Sequence, residues 1–162
     1  MKVFFDTEFT SLTEKPLLIS VGMITEDGNR TFYAELNDTY SFSDLSQFAV
    51  ENVIPLLDGH AISISQLSID MHHWLVELND EIELASDNWA WDWPFIVEAL
   101  QHNWPSNLNR ECYLLNLNYM NDADAYYEAV KCAYKDGLRK HHALDDAKSI
   151  RFGWLASEKA KK

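Results

Sequence analysis

The stretch Val3-Phe4-Phe5-Asp6-Thr7-Glu8-Phe9 constrains this chain more than any other. Val3 to Phe5 is an unbroken run of β-branched and aromatic residues, the pattern of a strand covered on both faces. Two carboxylates follow at i and i+2, positions that share one face of a strand. Asp6 and Glu8 would project together, roughly 6–7 Å apart at about 3.3 Å per residue, from the end of a core strand. Like charges held that way repel and desolvate each other unless something cationic lies between them, and a divalent metal is the usual partner. Taken alone, Asp-x-Glu is more simply read as two acids reaching water at a strand end. The case for chemistry rests on acids elsewhere in the chain.

The chain has 162 residues, enough for one domain over 1–162 with a substantial core. A composition that is 47% hydrophobic and 13% aromatic excludes a disordered chain. No apolar run reaches the roughly 18 residues of a membrane-spanning helix, so no membrane partner is expected. The start of the chain lacks the basic and apolar regions of a signal peptide. Cys112 and Cys132 lack metal-type spacing; they read as free thiols of a cytoplasmic protein and exclude a cysteine zinc site.

The formal net charge is −13, which taken alone argues against nucleic-acid binding. The distribution softens that objection. Between Thr31 and Asn109 there are thirteen acids and no Lys or Arg, whereas Lys131 to Lys162 holds nine basic residues against four acids. A locally positive C-terminal segment on an acidic body points to a phosphate-facing side. Lys159, Lys161 and Lys162 read instead as a flexible basic tail over about residues 158–162.

Strands are expected over 2–8, Leu17–Ile24 and Thr31–Leu36, the last two joined by the turn signal Asp27-Gly28. Short connections imply an antiparallel meander. Ser41 to Leu57 carries a helical pattern broken by Pro55. Ser65 or Ser68 is expected to cap a helix running to about Leu78, with Leu67, Met71, Trp74, Leu75 and Leu78 on its apolar side. A strand over Glu81–Ser86, a helix over Trp93–His102 with Pro94 in its first turn, a strand over Cys112–Leu117, and helices over Ala123–Tyr134 and Ala143–Ser157 complete the pattern. The order predicts an α/β fold, a mixed central sheet with antiparallel first three strands and then parallel strands, flanked by helices.

Two further acids stand out. Phe95, Ile96 and Ala99 lie at i+3, i+4 and i+7 from Asp92, so Asp92 shares their apolar stripe. By itself it reads most simply as an N-cap for a Pro-led helix. In the last helix Ala143, Ala147, Ile150 and Trp154 form an apolar stripe with Asp146 inside it. A lone carboxylate on a buried face costs several kcal/mol unless paired or metal-bound. Asp145 lies off the stripe, toward water, so Asp145→Asn is expected to be near neutral. His141 stands where the chain turns into that helix and titrates near neutrality; its neighbour His142 reads as a surface residue, as do Asp70, His72 and His73.

These residues resemble the motifs of the DEDDh 3′→5′ exonucleases, the RNase T-like group of the ribonuclease H-like fold. Phe4-Phe5-Asp6-Thr7-Glu8-Phe9-Thr10-Ser11-Leu12 is similar to their first motif, Asn88-Trp89-Ala90-Trp91-Asp92 to their second, and His141-His142-Ala143-Leu144-Asp145-Asp146-Ala147 to their third. The third is specific and selects His141 and Asp146. Within the group, the short single-domain form resembles the RNase T-like exoribonucleases of the mycobacterial type and their phage relatives. The chain departs from the pattern at Ser11, where a Gly is usual, at Asp87, an extra acid, and in its scarcity of the basic patches that grip long strands.

The resemblance implies a metal-dependent exonuclease, one that releases 5′-mononucleotides from single-stranded 3′ ends or overhangs. Asp6, Glu8, Asp92 and Asp146 would hold two Mg²⁺ or Mn²⁺ ions per active site, one among Asp6, Glu8 and Asp146, the second using Asp6 with Asp92 directly or through water. His141 would be the general base. Phe9, Thr10, Leu12 and Asn88 would line the terminal nucleotide; Phe9 suits base stacking or core packing equally. Arg139, Lys140, Lys148 and Arg151 are candidates for neutralising phosphates or for solvated positions. Partners would be single-stranded RNA or DNA 3′ ends, and relatives are often homodimers. Rival expectations are a DNA-directed member of the group, a non-catalytic binding protein on the same fold, and an acidic nucleic-acid mimic.

Overall fold

In the computed structural model, which describes residues 1–159, the strand β1 (Lys2–Phe9) lies inside a six-stranded mixed sheet. The other strands are β2 (Leu18–Thr25), β3 (Thr31–Leu36), β4 (Ala61–Ile62), β5 (Glu83–Ser86) and β6 (Tyr113–Leu114), in the spatial order β4-β3-β2-β1-β5-β6. The first three strands form an antiparallel meander, as the short connections predicted. β5 joins β1 in parallel, β6 joins β5 in parallel, and β4 runs parallel to β3 on the far edge. The two-residue β4 carries too little pattern to be placed from sequence. The expected strands over Glu81–Ser86 and Cys112–Leu117 shrink to their cores, with Ile82 making only an isolated bridge to Leu108.

Helices cover both faces: α1 (Gln47–Asn52), α2 (Ile64–Glu77), α3 (Trp89–Leu100), α4 (Ala123–Lys135) and α5 (Ala143–Lys159). Alternation along β1 sorts the core. Val3 and Phe5 pack with Leu67, Met71 and Leu75 of α2 and Phe95 and Ile96 of α3. Phe4 faces the other way, onto Ala147 and Ile150 of α5 and the ring of Trp154, 5.3 Å away. Asp6 and Glu8 continue Phe4's alternation and face α5; Thr7 faces α3.

Three boundaries differ from expectation. α2 is capped by Ser63, whose hydroxyl accepts from the Gln66 N–H at 3.1 Å, rather than by Ser65 or Ser68. α3 begins at Trp89, four residues earlier than the Pro-led helix expected, so Pro94 lies inside it. The stretch Ser41–Leu57 divides into a 3₁₀ turn, α1, and a second 3₁₀ turn containing Pro55. Of the expected basic tail, Glu158 and Lys159 continue α5, and residues 160–162 lie outside the described residues. Among the described residues no helix is long and apolar enough to cross a membrane.

Two local features set the geometry of the upper sheet. The β1–β2 register slips between Glu8 and Phe9, so that Phe9 pairs with Leu18 and Ile19 is skipped. Such a bulge re-aims side chains; Ile19 packs beneath Ala49 and Val53 in and after α1, and Ser46 N–H bonds the Thr10 carbonyl at 2.9 Å. The second feature is Gly22, paired with Asp6 across the strands. A Cβ at Gly22 would sit 2.2 Å from the Leu144 nitrogen and 2.4 Å from the Ala143 carbonyl carbon. The backbone at the start of α5 therefore rests directly on the sheet, beside Asp6.

Gly22→Ala should lower stability by about 2–4 kcal/mol, because the colliding atoms are backbone and cannot rotate away. Urea unfolding of the variant checks this; an unchanged midpoint would contradict the close seat.

Candidate active-site cleft

At the carboxyl ends of β1 and β5, the usual place for a site on an α/β sheet, lies an open cleft of ≈ 660 Å³. Asp6, Glu8, Asp87, His141 and Asp146 line it, with Phe9, Leu12, Asn88 and Lys140 among its walls. Ligand atoms of Glu8, His141 and Asp146 all lie within 4.8 Å of one another, although these residues come from opposite ends of the chain. Such an arrangement of two carboxylates and an imidazole could hold a divalent cation.

Each of these groups is placed by a definable local cause. Asp6 and Glu8 share the α5-facing side of β1. Asp146 sits in the first turn of α5, where its Oδ1 accepts from the Tyr134 hydroxyl at 2.7 Å and its Oδ2 from the His141 N–H at 3.0 Å. That second bond closes the loop before α5 and holds His141 at φ 69°, a left-handed conformation uncommon for a side-chain-bearing residue. The His141 ring is then braced edge-on against Phe48 of α1, centroids 4.9 Å apart.

The acids bear the cost of their proximity. Asp6 accepts no hydrogen bond from the described residues. Burial, then the charges of Asp92, Asp146, Glu8 and Asp87, raise its carboxyl well above the ordinary range. Burial followed by Asp146 and Asp92 pushes Glu8 up to about 8. Burial raises Asp146 to about 6 against the opposing hydrogen bonds from Tyr134 and His141. Lys140, on the cleft wall, makes no ion pair with any of them. Burial, with a further contribution from Lys140, lowers His141.

Asp92 is brought close but stands behind the cleft rather than on it. It is 1% exposed, and its two oxygens accept from the hydroxyls of Thr7 at 2.7 Å and Ser86 at 2.6 Å. It is not the N-cap of α3: Asn88 holds that position and Asp92 lies in the first turn, on the stripe shared with Phe95, Ile96 and Ala99. Burial raises it to about 6.

The expected nucleotide-lining residues divide. Phe9 lines the cleft, and its ring packs on Trp91 and Phe95 with centroids 5.8 and 5.7 Å away. Leu12 is 73% exposed at the cleft mouth. Asn88 lines the floor beside Asp87, which Tyr126 holds with a 3.0 Å hydrogen bond. Thr10 does not reach the cleft: it is buried, and its hydroxyl accepts from Leu17 N–H at 3.1 Å. Trp93 packs on Phe5 and Trp104.

Two readings of the third motif are corrected. Asp145 does not face water. It is 5% exposed and bound by Arg139 Nε and Lys148 Nζ, each at 2.8 Å. Burial opposes its ionisation, but Lys148 and Arg139 outweigh burial and hold it at about 2. His142 is not on the surface either; it is 1% exposed and stacks on Tyr33 at 4.5 Å. Arg139 joins Asp145 to Asp58. Of the expected phosphate-facing cations, Arg139 and Lys148 are thus engaged in this network, Arg151 donates to the Glu26 carbonyl, and Lys140 alone lines the cleft.

Sequence reasoning missed Tyr134, Thr7 and Ser86. Thr7 carried a signal, a hydroxyl on the face of the strand that is otherwise apolar, opposite the two acids. Tyr134 carried none, since its role depends on how α4 lies against α5. A scan against protein-family models finds none that matches, and a search of curated proteins likewise finds no match.

Raised carboxyl pKa values mean that the folded chain keeps protons the unfolded chain releases near pH 4. Without divalent ions, the stability these groups contribute should be full below about pH 4 and fall as pH rises from there, levelling off above about 6 for Asp92 and Asp146 and above about 8 for Glu8. Thermal unfolding in EDTA from about pH 4 to about pH 9 measures this, and Asp6→Asn should flatten the fall. Asp145→Ala should cost about 2–4 kcal/mol in urea unfolding, because Arg139 and Lys148 lose their shared partner. A near-neutral result would restore the solvated reading.

Proposed function

We propose that this chain is a metal-dependent 3′→5′ exonuclease of the DEDDh, RNase T-like group on a ribonuclease H-like fold, acting on single-stranded RNA 3′ ends. The observation that carries the reading is the convergence of Glu8, His141 and Asp146 within 4.8 Å, in a cleft that also holds Asp6. The mixed sheet, antiparallel over its first three strands and parallel after, supports the fold part of the proposal.

The donor set suits Mg²⁺ or Mn²⁺. It is dominated by carboxylate oxygens, it lacks a thiolate, and Asp6 lies in it without a hydrogen-bond donor. Asp6, Glu8 and Asp146 would hold such ions from the cleft side, with Asp92 behind them. When bound, a pair of divalent ions supplies charge neutralisation for the phosphodiester and lowers the pKa of the attacking water.

The chain's own side chains do the rest. Burial and Lys140 both disfavour the cation of His141, and its ring is braced by Phe48. It accepts the proton of the attacking water, and the leaving 3′ oxygen of the shortened strand departs with the bonding electrons. Tyr134 and the His141 N–H fix the Asp146 carboxylate in one orientation, so a ligand oxygen is presented without a search among rotamers. Thr7 and Ser86 do the same for Asp92. Phe9 and Leu12 offer apolar surface to the terminal base.

Purified protein should shorten 5′-labelled single-stranded RNA from its 3′ end with Mg²⁺ or Mn²⁺ and leave it intact in EDTA. Asp146→Asn should lower the rate on the order of a thousandfold, the loss of several kcal/mol of charge stabilisation, while circular dichroism shows the fold retained. Trimming of DNA in place of RNA would move the substrate and keep the chemistry. No trimming of either under any divalent ion would defeat the proposal, as would full activity in Asp146→Asn.

A further inference from the structure

Five of the described cations are engaged with the chain's own acids. Arg139 and Lys148 hold Asp145, Lys2 holds Glu83, Arg30 meets Glu77 at 3.3 Å, and Lys131 meets Glu128 at 3.5 Å. Lys140 is set apart by its position. It is exposed, has no ion-pair partner among the described residues, and is the one Lys or Arg on the cleft wall among those residues. Its charge is close enough to His141 to help lower that imidazole. Much of the chain is acidic: over Thr31–Asn109 thirteen acids stand without a Lys or Arg, and the net charge is −13.

Each phosphate of a bound single strand that meets a cation contributes to affinity, and each that meets an acidic surface is repelled. A strand seated with its 3′ end in the cleft would therefore gain from one phosphate contact and lose as further phosphates are added along the body. We propose that the site takes short single-stranded oligonucleotides, held at a single phosphate by Lys140, rather than long strands. This rests on the exonuclease reading and narrows its substrate class. Lys140 acts as a specificity-determining contact; it does not take part in proton transfer.

The test is kcat/KM for unstructured oligoribonucleotides of about five and about twenty-five residues, at fixed Mg²⁺ and varied KCl, where single-strand binding gives a log–log salt slope of about −0.7 per phosphate neutralised. The five-residue substrate should be turned over at least as efficiently as the long one, with a slope near that of one contact. Lys140→Ala should raise KM for the short substrate roughly tenfold, leave kcat within about twofold, and flatten the slope. Its thermal midpoint should not move, since Lys140 holds nothing else in place. A kcat/KM that climbs tenfold or more with length, with a slope steeper than about −2, overturns the inference and leaves the exonuclease reading standing. An unchanged KM in Lys140→Ala also overturns it. Failure to trim either length with Mg²⁺ or Mn²⁺ overturns both.

Discussion

The site depends on a contact between two stretches of backbone. Gly22 has no side chain, so the peptides of Ala143 and Leu144 can lie against β2 at a distance that a single methyl group would forbid. Because Gly22 pairs with Asp6, the start of α5 is seated beside the first carboxylate of the cleft. His141 and Asp146 then have no choice of depth. A helix held away by even one methyl would carry Asp146 up and out, and the ligand atoms within 4.8 Å would separate. A second close approach reinforces the seat: a Cβ on Gly153 would meet the Tyr126 ring at 2.5 Å, so α4 lies tightly on α5 and brings Tyr134 to Asp146.

Adjacent acids on α5 show how completely surroundings decide the role of a carboxylate. Asp145 and Asp146 differ by one position, yet one is held at about 2 and the other raised to about 6. Asp145 is buried against two cations and serves as a structural anchor. Asp146 is raised first by burial and then by Asp87 and Asp145, with only a hydroxyl and an amide to stabilise its charge. The first arrangement is complete without a ligand. The second is left electrostatically unfinished, and any divalent ion that completes it would add its binding free energy to the stability of the fold.

Much of this could be read from the chain, and the failures share one cause. Alternation along Val3–Phe9 and the apolar stripes around Asp92 and Asp146 are local patterns, and each put its carboxylate on the side the structure shows. His142 and Asp145 were misread because their burial comes from Tyr33, Asp58 and Arg139, partners whose contact with α5 no local period encodes. The early start of α3 escaped notice because Asn88 caps it without a side-chain hydrogen bond and Pro94 drew the boundary to itself. A missing N–H costs nothing only in the first turn of a helix, where no acceptor lies four residues back, so a Pro argues for a start near itself, although Pro94 lies inside α3.

The two faces of β1 also explain why Asp92 is present near the cleft without lining it. Asp6 and Glu8 face α5, whereas Thr7 faces α3 and donates to Asp92 from the opposite side. Carboxylates from helices on both layers can approach one another only at the end of the strand, where the sheet no longer separates them. Thr7 is therefore the hinge of the arrangement in a chemical sense: its backbone carries the two acids on one side while its hydroxyl fixes the third on the other. With Ser86 supplying the second hydroxyl from the neighbouring strand, two hydrogen bonds oppose the burial that raises Asp92 to about 6. It projects a negative field into the cleft through the end of the sheet, which is one of the largest contributions raising Asp6.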